Sequence, residues 1–227
     1  MMADLINNLL PNVVTKVPEL IKCTWQTLYM MGLSGSISFF LGMIFGIVLT
    51  VTKKGNIMGN AVIYNVLDKI INTFRSIPFI ILLAALIPLT RAVVGTAIGT
   101  KGAILPLIFG TVPFFTRQIE TALAELDSGL IEASQAMGSS PIEIIFRVYL
   151  KESIPNIVRA TTITFISLVG LTAMAGAIGG GGLGDFAIRY GHQRNQVDVT
   201  YVTVIVLLII VNIIQTFGNF IIKKTTH

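Results

Sequence analysis

Charged residues and cysteines are both scarce in this chain of 227 residues. Only 12% of the residues are charged, about half the fraction found in ordinary soluble domains. Cys23 is the only cysteine, which excludes an intrachain disulfide, a CxxC redox pair and a cysteine-based metal site. His192 and His227 are equally isolated. The sequence therefore offers no redox centre and no cysteine or histidine cluster for a metal.

Long apolar runs take the place of charge. The hydrophobic fraction is 53% and the mean hydropathy is +0.81. Residues 28–51 and 199–222 contain no charged side chain, and roughly 20 apolar residues suffice for a helix to cross a bilayer. A soluble protein with a large buried α/β core is the alternative, but it would have too little polar sequence to cover two such runs. We therefore predict an all-α integral membrane protein.

The apolar pattern predicts five transmembrane helices. The first ends at the paired lysines 53 and 54, where a turn follows, and the second begins as an amphipathic stretch. Pro106 and Pro113 favour a bent helix, buried among its neighbours, for the third. Residues 1–24 are predicted to form an N-terminal interfacial segment without a cleaved signal peptide. The predicted spans cover residues 25–51, 61–89, 97–124, 157–178 and 199–222.

The basic residues lie at the ends of the apolar runs, so the net charge of +5 indicates membrane-edge anchors and no nucleic-acid site. An odd number of spans places the termini on opposite sides. The richer basic face is cytoplasmic by the positive-inside rule, which predicts an outside N-terminus and a cytoplasmic C-terminus. That face carries Lys53, Lys54, Lys69, Arg75, Arg117, Arg147, Lys151, Arg159, Lys223 and Lys224, against Lys16, Lys22, Arg91, Lys101, Arg189 and Arg194 on the other.

Two glycine patterns bear on nucleotide binding. No G-x-x-x-x-G-K-[ST] loop occurs, so the chain is not itself an ATPase. Residues 179–184 formally contain G-x-G-x-x-G, but the dinucleotide fingerprint requires a preceding strand, and this cluster follows a predicted membrane helix. We interpret it as a flexible, closely packed turn at the outer mouth of a pathway.

The polar interval at residues 127–156 carries the strongest local signals. A short helix is predicted over residues 130–137, with Asp127 or Ser128 as its cap and Gly138 as its stop. Ser140 and Glu143 then form an S-x-x-E capping box. Two helices joined by a sharp turn predict a rigid knob on the cytoplasmic face.

Within this knob, Glu132-Ala133-Ser134 followed by Gly138 resembles the EAA loop of bacterial ABC importer permeases. Residues 75–82, 129–133 and 167–184 are similar in order and spacing to the methionine-importer permeases of that family, and the resemblance extends over residues 25–224. Ser134 replaces a second alanine of the motif, and Lys151 replaces a proline found in many members.

The resemblance implies a type I ABC importer permease fold, with a transmembrane permease domain over residues 25–224 and a coupling loop at 127–156. It implies a homodimer in the cytoplasmic membrane, two copies of a cytoplasmic ATPase that binds ATP and Mg, and an extracytoplasmic methionine-binding protein. The function implied is import of D- and L-methionine, and no cofactor is expected in this chain. The residues implied to couple to the ATPase are Leu130, Ile131, Glu132, Ala133, Ser134, Met137, Gly138, Ser139 and Pro141.

Small residues on two predicted spans have more than one interpretation. Ser34, Ser38, Gly42 and Gly46 recur every four residues, which fits either packing within the chain or a subunit contact. On the fourth span Met174 stands among small neighbours, either as packing filler or as part of a gate. The residues assigned to this candidate pathway are Gly170, Ala173, Met174 and Ala177.

Three other functions are alternatives for such a chain. An ion channel or secondary transporter predicts acidic residues inside the membrane, and the predicted spans hold no buried acid. A membrane-embedded enzyme requires a His/Asp/Glu constellation at membrane depth, which is missing, so the chain is not expected to be an enzyme. The same architecture importing another amino acid or a small organic ion remains an alternative.

Overall fold

The computed structural model describes residues 10–225, and this part of the chain is helical, with no strand. The first nine residues of the predicted interfacial segment lie outside the described residues. The helices are α1 Pro11–Val14, α2 Val17–Thr52, α3 Ala61–Ser76, α4 Phe79–Ala85, α5 Ile87–Val94, α6 Gly99–Ala124, α7 Ser128–Ala136, α8 Pro141–Ile144, α9 Leu150–Glu152, α10 Ile154–Ala175, α11 Gly182–Phe186 and α12 Val197–Thr225. Wider π-helical turns occupy Ile145–Tyr149, Gly176–Gly180 and Ala187–His192.

Four helices of the described part are long and apolar enough to cross a membrane: Val17–Thr52, Gly99–Ala124, Ile154–Gly180 and Val197–Thr225. They correspond to the first, third, fourth and fifth predicted spans. The first begins well before residue 25, inside the stretch that was predicted to be interfacial. The third is continuous in spite of its two prolines.

The second predicted span is not one helix, so the prediction of five long helices is not confirmed. The chain breaks between α3 and α4 because Pro78 has no N–H and holds Ile77 in an extended conformation (φ −84°, ψ 122°). Pro88 lies in the first turn of α5, one residue after α4 and its C-cap Leu86 have ended, and Gly95 ends α5 in the left-handed region (φ 82°). Three short helices replace the predicted continuous one.

The chain divides into two compact units, each built from pieces of several helices. The first unit comprises residues up to Ser36, Pro78–Ile108 and Ile166–Ile214. Its largest fully buried side chains are Met30, Leu107, Leu168, Leu183, Phe186 and Val199. Apolar side chains distant in the sequence thus fill one core.

The second unit comprises Ile37–Ile77, Phe109–Phe165 and the chain from Gln215 onward. Its core contains Val51, Phe115, Ile119, Ala122, Leu123, Ile144, Tyr149, Ile157 and Ala160. Gly42 and Gly46 of α2 allow α6 to approach closely, because a Cβ on either would lie 2.6 Å from a side-chain atom of Phe115 or Ile119. For these two glycines, the interpretation as packing within the chain is confirmed.

Candidate functional site

The predicted knob is present, and its first helix is α7. It begins one residue after Asp127, whose Oδ1 accepts a hydrogen bond from the Gly129 N–H at 2.8 Å. The helix starts at Ser128 and ends at Ala136, so it begins slightly earlier than predicted. Gly138 follows in the left-handed conformation, with φ 81°, which glycine adopts without strain. The stop signal read from Gly138 is therefore confirmed.

The two sides of α7 have different roles. Leu130 and Met137 are 46% and 79% exposed, and Ala133, which lies between them at helical spacing, is exposed too. Ile131 packs against the core of the second unit, and Ser134 is buried at 7% exposure. The nine coupling residues named from the sequence therefore lie together, but Ile131 and Ser134 face the protein and position the helix instead of presenting a surface.

A tight turn joins α7 to α8. The Gly138 N–H donates to the Gln135 carbonyl at 2.9 Å, and the Ser139 N–H donates to the Ser134 carbonyl at 3.1 Å. These bonds satisfy carbonyl groups at the C-terminal end of α7 that would otherwise lack a partner. Ser139 and Pro141 are thereby held directly behind the helix.

The capping box predicted at the start of α8 is formed in both directions. The Ser140 N–H donates to Glu143 Oε2 at 2.9 Å, and the Glu143 N–H donates to Ser140 Oγ at 3.3 Å. The backbone N–H of Ser140, followed by its hydroxyl, holds the pKa of the Glu143 carboxyl below its ordinary value. The knob is thus fixed at both helix starts.

Two exposed apolar residues next to the knob were missed by the sequence analysis. Ile142 is 65% exposed and Phe146 is 66% exposed, and their spacing of four puts them on one side of a helix. The sequence of residues 141–150 does not single them out, because apolar residues fall on every side of this helical stretch. Exposed apolar groups clustered in this way are typical of a contact surface.

A cavity of about 310 Å³ lies on the inner side of α7. It is lined by Lys53 and Lys54, which directly follow α2, by Glu120 of α6, by Gln135 of α7 and by Tyr149, among others. The knob therefore rests over a hollow with mixed polar and apolar walls.

A hydrogen-bond chain forms one wall of this cavity. The Tyr149 hydroxyl donates to Asn56 Oδ1 at 2.7 Å, and Asn56 Nδ2 donates to the Thr50 carbonyl at 2.8 Å. Burial raises the pKa of the Tyr149 phenol. These hydrogen bonds connect the π-helical turn after α8 to the end of α2.

An ion cluster links α3 to α6 within the second unit. Arg117 forms ion pairs with Asp68 and Glu120, and a hydrogen bond of 3.0 Å with Asn72. The side chains of Asp68 and Glu120 are 28% and 15% exposed. Both acids fall within predicted spans, where they are partly buried and have their charge paired by Arg117.

The candidate pathway residues lie on α10 and on the π-helical turn that follows it, and they differ in exposure. Met174 is 41% exposed, Gly170 and Ala177 are exposed, and Ile178 extends the same side at 47% exposure. Ala173 is different, because its backbone lies against Gly184, where a Cβ would overlap the Ala173 carbonyl. Ala173 therefore contributes close packing, while the other three present an open surface in the single chain.

The glycine cluster is a packed turn within the first unit. Gly179, Gly181 and Gly182 have φ values of 96°, 74° and 76°, which side chains with a Cβ rarely adopt. The Gly182 N–H donates to Gln26 Oε1 at 2.8 Å, and the Leu183 N–H donates to Thr27 Oγ1 at 2.9 Å. The close packing expected of this turn is confirmed, and its backbone is anchored to α2.

Comparison with known proteins decides the family. Residues 25–225 match the family described as binding-protein-dependent transport system inner membrane component. The chain belongs to that family. It is therefore a transport component with several membrane-spanning helices in the inner membrane, and it is not an enzyme, as predicted. In such systems ATP is bound by the partner ATPase.

Individual relatives agree with this assignment. The chain is 46% identical to the probable D-methionine transport system permease protein MetI of Vibrio cholerae, over 92% of each chain. It is 43% identical to the methionine import system permease protein MetP of Bacillus subtilis, over 93% of this chain and 94% of the relative. The resemblance to methionine-importer permeases is confirmed.

Solved structures support the fold. A chain of the inward-facing MetNI methionine ABC transporter superposes with a TM-score of 0.91 at 45% identity, covering 94% of this chain and 99% of the other. A chain from an amino acid ABC transporter with histidines has a TM-score of 0.78 at 18% identity, over 95% of this chain and 98% of the other, which shows the fold alone. The all-helical ABC importer permease fold is confirmed.

Proposed function

We propose that this chain is the permease subunit of an importer of D- and L-methionine. The observation that carries the proposal is the capped helix α7, which exposes Leu130, Ala133 and Met137 on a fold that superposes on a methionine transporter subunit with a TM-score of 0.91. Methionine is the substrate named for relatives that match along more than 90% of this chain.

In this proposal α7 is the coupling helix. Its exposed side enters a cleft of a cytoplasmic ATPase, while Ile131 and Ser134 hold the helix against the permease. A helix fixed by a cap, a left-handed glycine and a capping box moves as a rigid body, because bending it would break several hydrogen bonds. Movement of the ATPase is thereby passed to the membrane helices, which alternate between outward and inward access.

The proposed assembly contains two copies of this chain, two copies of the ATPase and one extracytoplasmic methionine-binding protein. One chain is too small to enclose a route for an amino acid. The open side of α10 and of the turn after it, with Gly170, Met174 and Ala177, suits contact with a second copy, because small residues let helices approach closely. Met174 and its symmetry mate then close the route between transport cycles.

The proposed topology has five crossings, with the segment from α3 to α5 supplying the one that is not a single long helix. The distribution of basic residues supports an outside N-terminus and a cytoplasmic C-terminus. In a variant without Cys23, a cysteine at residue 195 should react with a membrane-impermeant reagent from outside, and one at residue 139 only from inside. The reverse labelling would refute the orientation and the place of the ATPase.

The coupling role is tested by changing α7 without removing the permease from the membrane. Glu132→Arg reverses a charge on the exposed helix, and Gly138→Pro removes the left-handed stop. Glu125→Arg is the matched control, because Glu125 is also exposed but precedes the helix. Methionine uptake should fall in the first two variants and persist in the control, in vesicles that contain equal amounts of assembled permease.

The outcomes separate coupling from substrate choice. Wild-type uptake by both α7 variants would refute the coupling assignment. Uptake of another amino acid or organic ion, without competition by D- or L-methionine, would support the importer function but refute the assignment of methionine as its substrate.

A further inference from the structure

Three cationic side chains converge on one aromatic ring in the first unit. The Arg189 and Arg194 guanidinium carbons lie 4.7 Å and 4.8 Å from the centroid of Tyr190, and Lys16 Nζ lies 5.8 Å from it. We call these four residues the Tyr190 cluster. Each distance is within the range of an attractive cation–π contact. The ring therefore holds three like charges that would otherwise repel one another.

The ring is a fixed platform. Tyr190 contacts Phe186 with the ring centroids 5.3 Å apart, and Phe186 is fully buried in the core of the first unit. An aromatic side chain that is packed on one side has few alternative rotamers. The cations resting on it are therefore held in place before any partner arrives.

The members of the cluster differ in how their charge is compensated. Arg189 forms ion pairs with Asp185 at 2.8 Å and with Glu19 at 3.5 Å. Lys16 donates a hydrogen bond to the Asn12 carbonyl at 3.2 Å. Arg194 is exposed and makes neither an ion pair nor a hydrogen bond within residues 10–225.

Acidic groups close to the cluster are already engaged. Glu19 also faces Lys22 at 3.7 Å. The Asp198 carboxylate accepts hydrogen bonds from the Asn12 N–H at 2.9 Å and from Asn12 Nδ2 at 3.0 Å. Arg194 is thus the cation of the cluster whose donors have no hydrogen-bond or ion-pair partner within the described residues.

We infer that Arg194, held on Tyr190, is a docking point for a carboxylate on the surface of the extracytoplasmic binding protein. This inference rests on the proposed function, which places the cluster on the outer face. A guanidinium offers a planar, bidentate set of donors to a carboxylate. Because the platform already restricts Arg194, less side-chain freedom is lost when the partner binds.

The neighbouring charges add steering to this contact. Groups within 6 Å of one centroid lie no more than about 12 Å apart, comparable to the Debye length of roughly 10 Å at 0.1 M salt. An approaching acidic surface therefore experiences Lys16 and Arg194 together. Electrostatic steering of this kind accelerates association and weakens as salt is raised.

The test measures binding of the binding protein to the assembled permease and ATPase in nanodiscs of zwitterionic lipid. Arg194→Gln should weaken the affinity about five- to tenfold and reduce its dependence on salt. Lys101→Gln is the matched control, because Lys101 is an exposed basic residue of the first unit outside the cluster; its affinity should stay within about twofold of wild type.

A second pair of variants tests the platform. Tyr190→Leu removes the ring and should weaken binding nearly as much as Arg194→Gln, whereas Tyr190→Phe keeps the ring and should bind like wild type. Gel filtration of the complex with its ATPase shows whether each variant is folded.

Several outcomes would overturn the inference. Equal losses of affinity in Arg194→Gln and Lys101→Gln would indicate that binding depends on the overall positive charge of the surface and not on the cluster. An unchanged affinity in Arg194→Gln would show that the cluster has no docking role. If Arg194→Gln alters binding only in nanodiscs with anionic lipid, the cluster binds a lipid headgroup instead. Failure of the wild-type complex to bind the binding protein at all would refute the proposed function itself.

Discussion

Replacing Gly46 with alanine should destabilise the permease, although alanine is the better helix former. A Cβ at residue 46 would lie 2.6 Å from the Cβ and Cγ2 atoms of Ile119 and 3.0 Å from the Thr116 carbonyl oxygen. Non-bonded carbon atoms are optimally about 3.5–4.0 Å apart, so α2 and α6 would have to separate by roughly 1 Å. Ile119 is fully buried and, being β-branched in a helix, it strongly prefers one χ1 rotamer, so it cannot readily turn aside to make room.

The size of the effect follows from two opposing contributions. Overpacking a well-filled core costs about 1–3 kcal/mol, and the rigid partners at residue 46 favour the upper end. The gain in helix propensity from glycine to alanine is about 1 kcal/mol. We therefore expect a net loss of about 2 kcal/mol in the free energy of unfolding.

Gly32→Ala provides the matched control on the same helix. A Cβ at residue 32 meets nothing within 4 Å, so only the propensity gain applies. Denaturant unfolding of the purified permease in detergent, followed by helicity, compares the two variants with wild type. Unfolding of Gly46→Ala at the same denaturant concentration as Gly32→Ala would contradict the expected overpacking at residue 46.

Three further predictions concern the gate, the knob and the wall of the cavity. Met174→Ala should increase ion leak through the reconstituted complex, while Met174→Leu should not, because its volume is similar; equal leak in both would make the residue packing. Because the pKa of Glu143 is lowered in the fold, its carboxylate stabilises the cap above the ordinary carboxyl pKa, and this contribution is lost as the pH falls through the lowered value. Ser140→Ala should raise that pKa part of the way, since the residue keeps its backbone N–H; an unchanged NMR titration would contradict this. Tyr149→Phe should cost about 1 kcal/mol of stability, and Asn56→Ala should cost more, because it leaves the Tyr149 hydroxyl, the Thr50 carbonyl and the Ile57 N–H without their partner; denaturant unfolding compares the two variants.

The long helices could be predicted because the bilayer leaves a strong signal in the sequence. Charge-free runs indicate α2 and α12, and the cap and stop residues around 127–143 indicate α7. The break after α3 was harder to predict, because proline has two outcomes in this chain. Pro78 ends a helix, whereas Pro106 and Pro113 lie within α6. Composition alone does not separate these cases.

Contacts between residues distant in sequence could not be predicted from local patterns. The ion pair of Asp68 with Arg117 and the approach of Lys16 to Tyr190 arise only when the helices pack. The inward orientation of Ile131 and Ser134 is intermediate, since their spacing of three already places them on one side of a helix. Which side faces the core depends on the neighbouring elements.

The continuity of α6 through two prolines determines how that helix can be oriented about its own axis. A proline has no N–H, so the carbonyls of Gly102 and Phe109, four residues before Pro106 and Pro113, lack their usual helical donor. Both prolines are buried, and their spacing of seven puts both open carbonyls on that same buried side. Turning that side of α6 toward lipid would expose both carbonyl oxygens to hydrocarbon, where nothing can solvate them. The orientation of this helix is therefore determined by solvation of its backbone as well as by the shapes of its side chains.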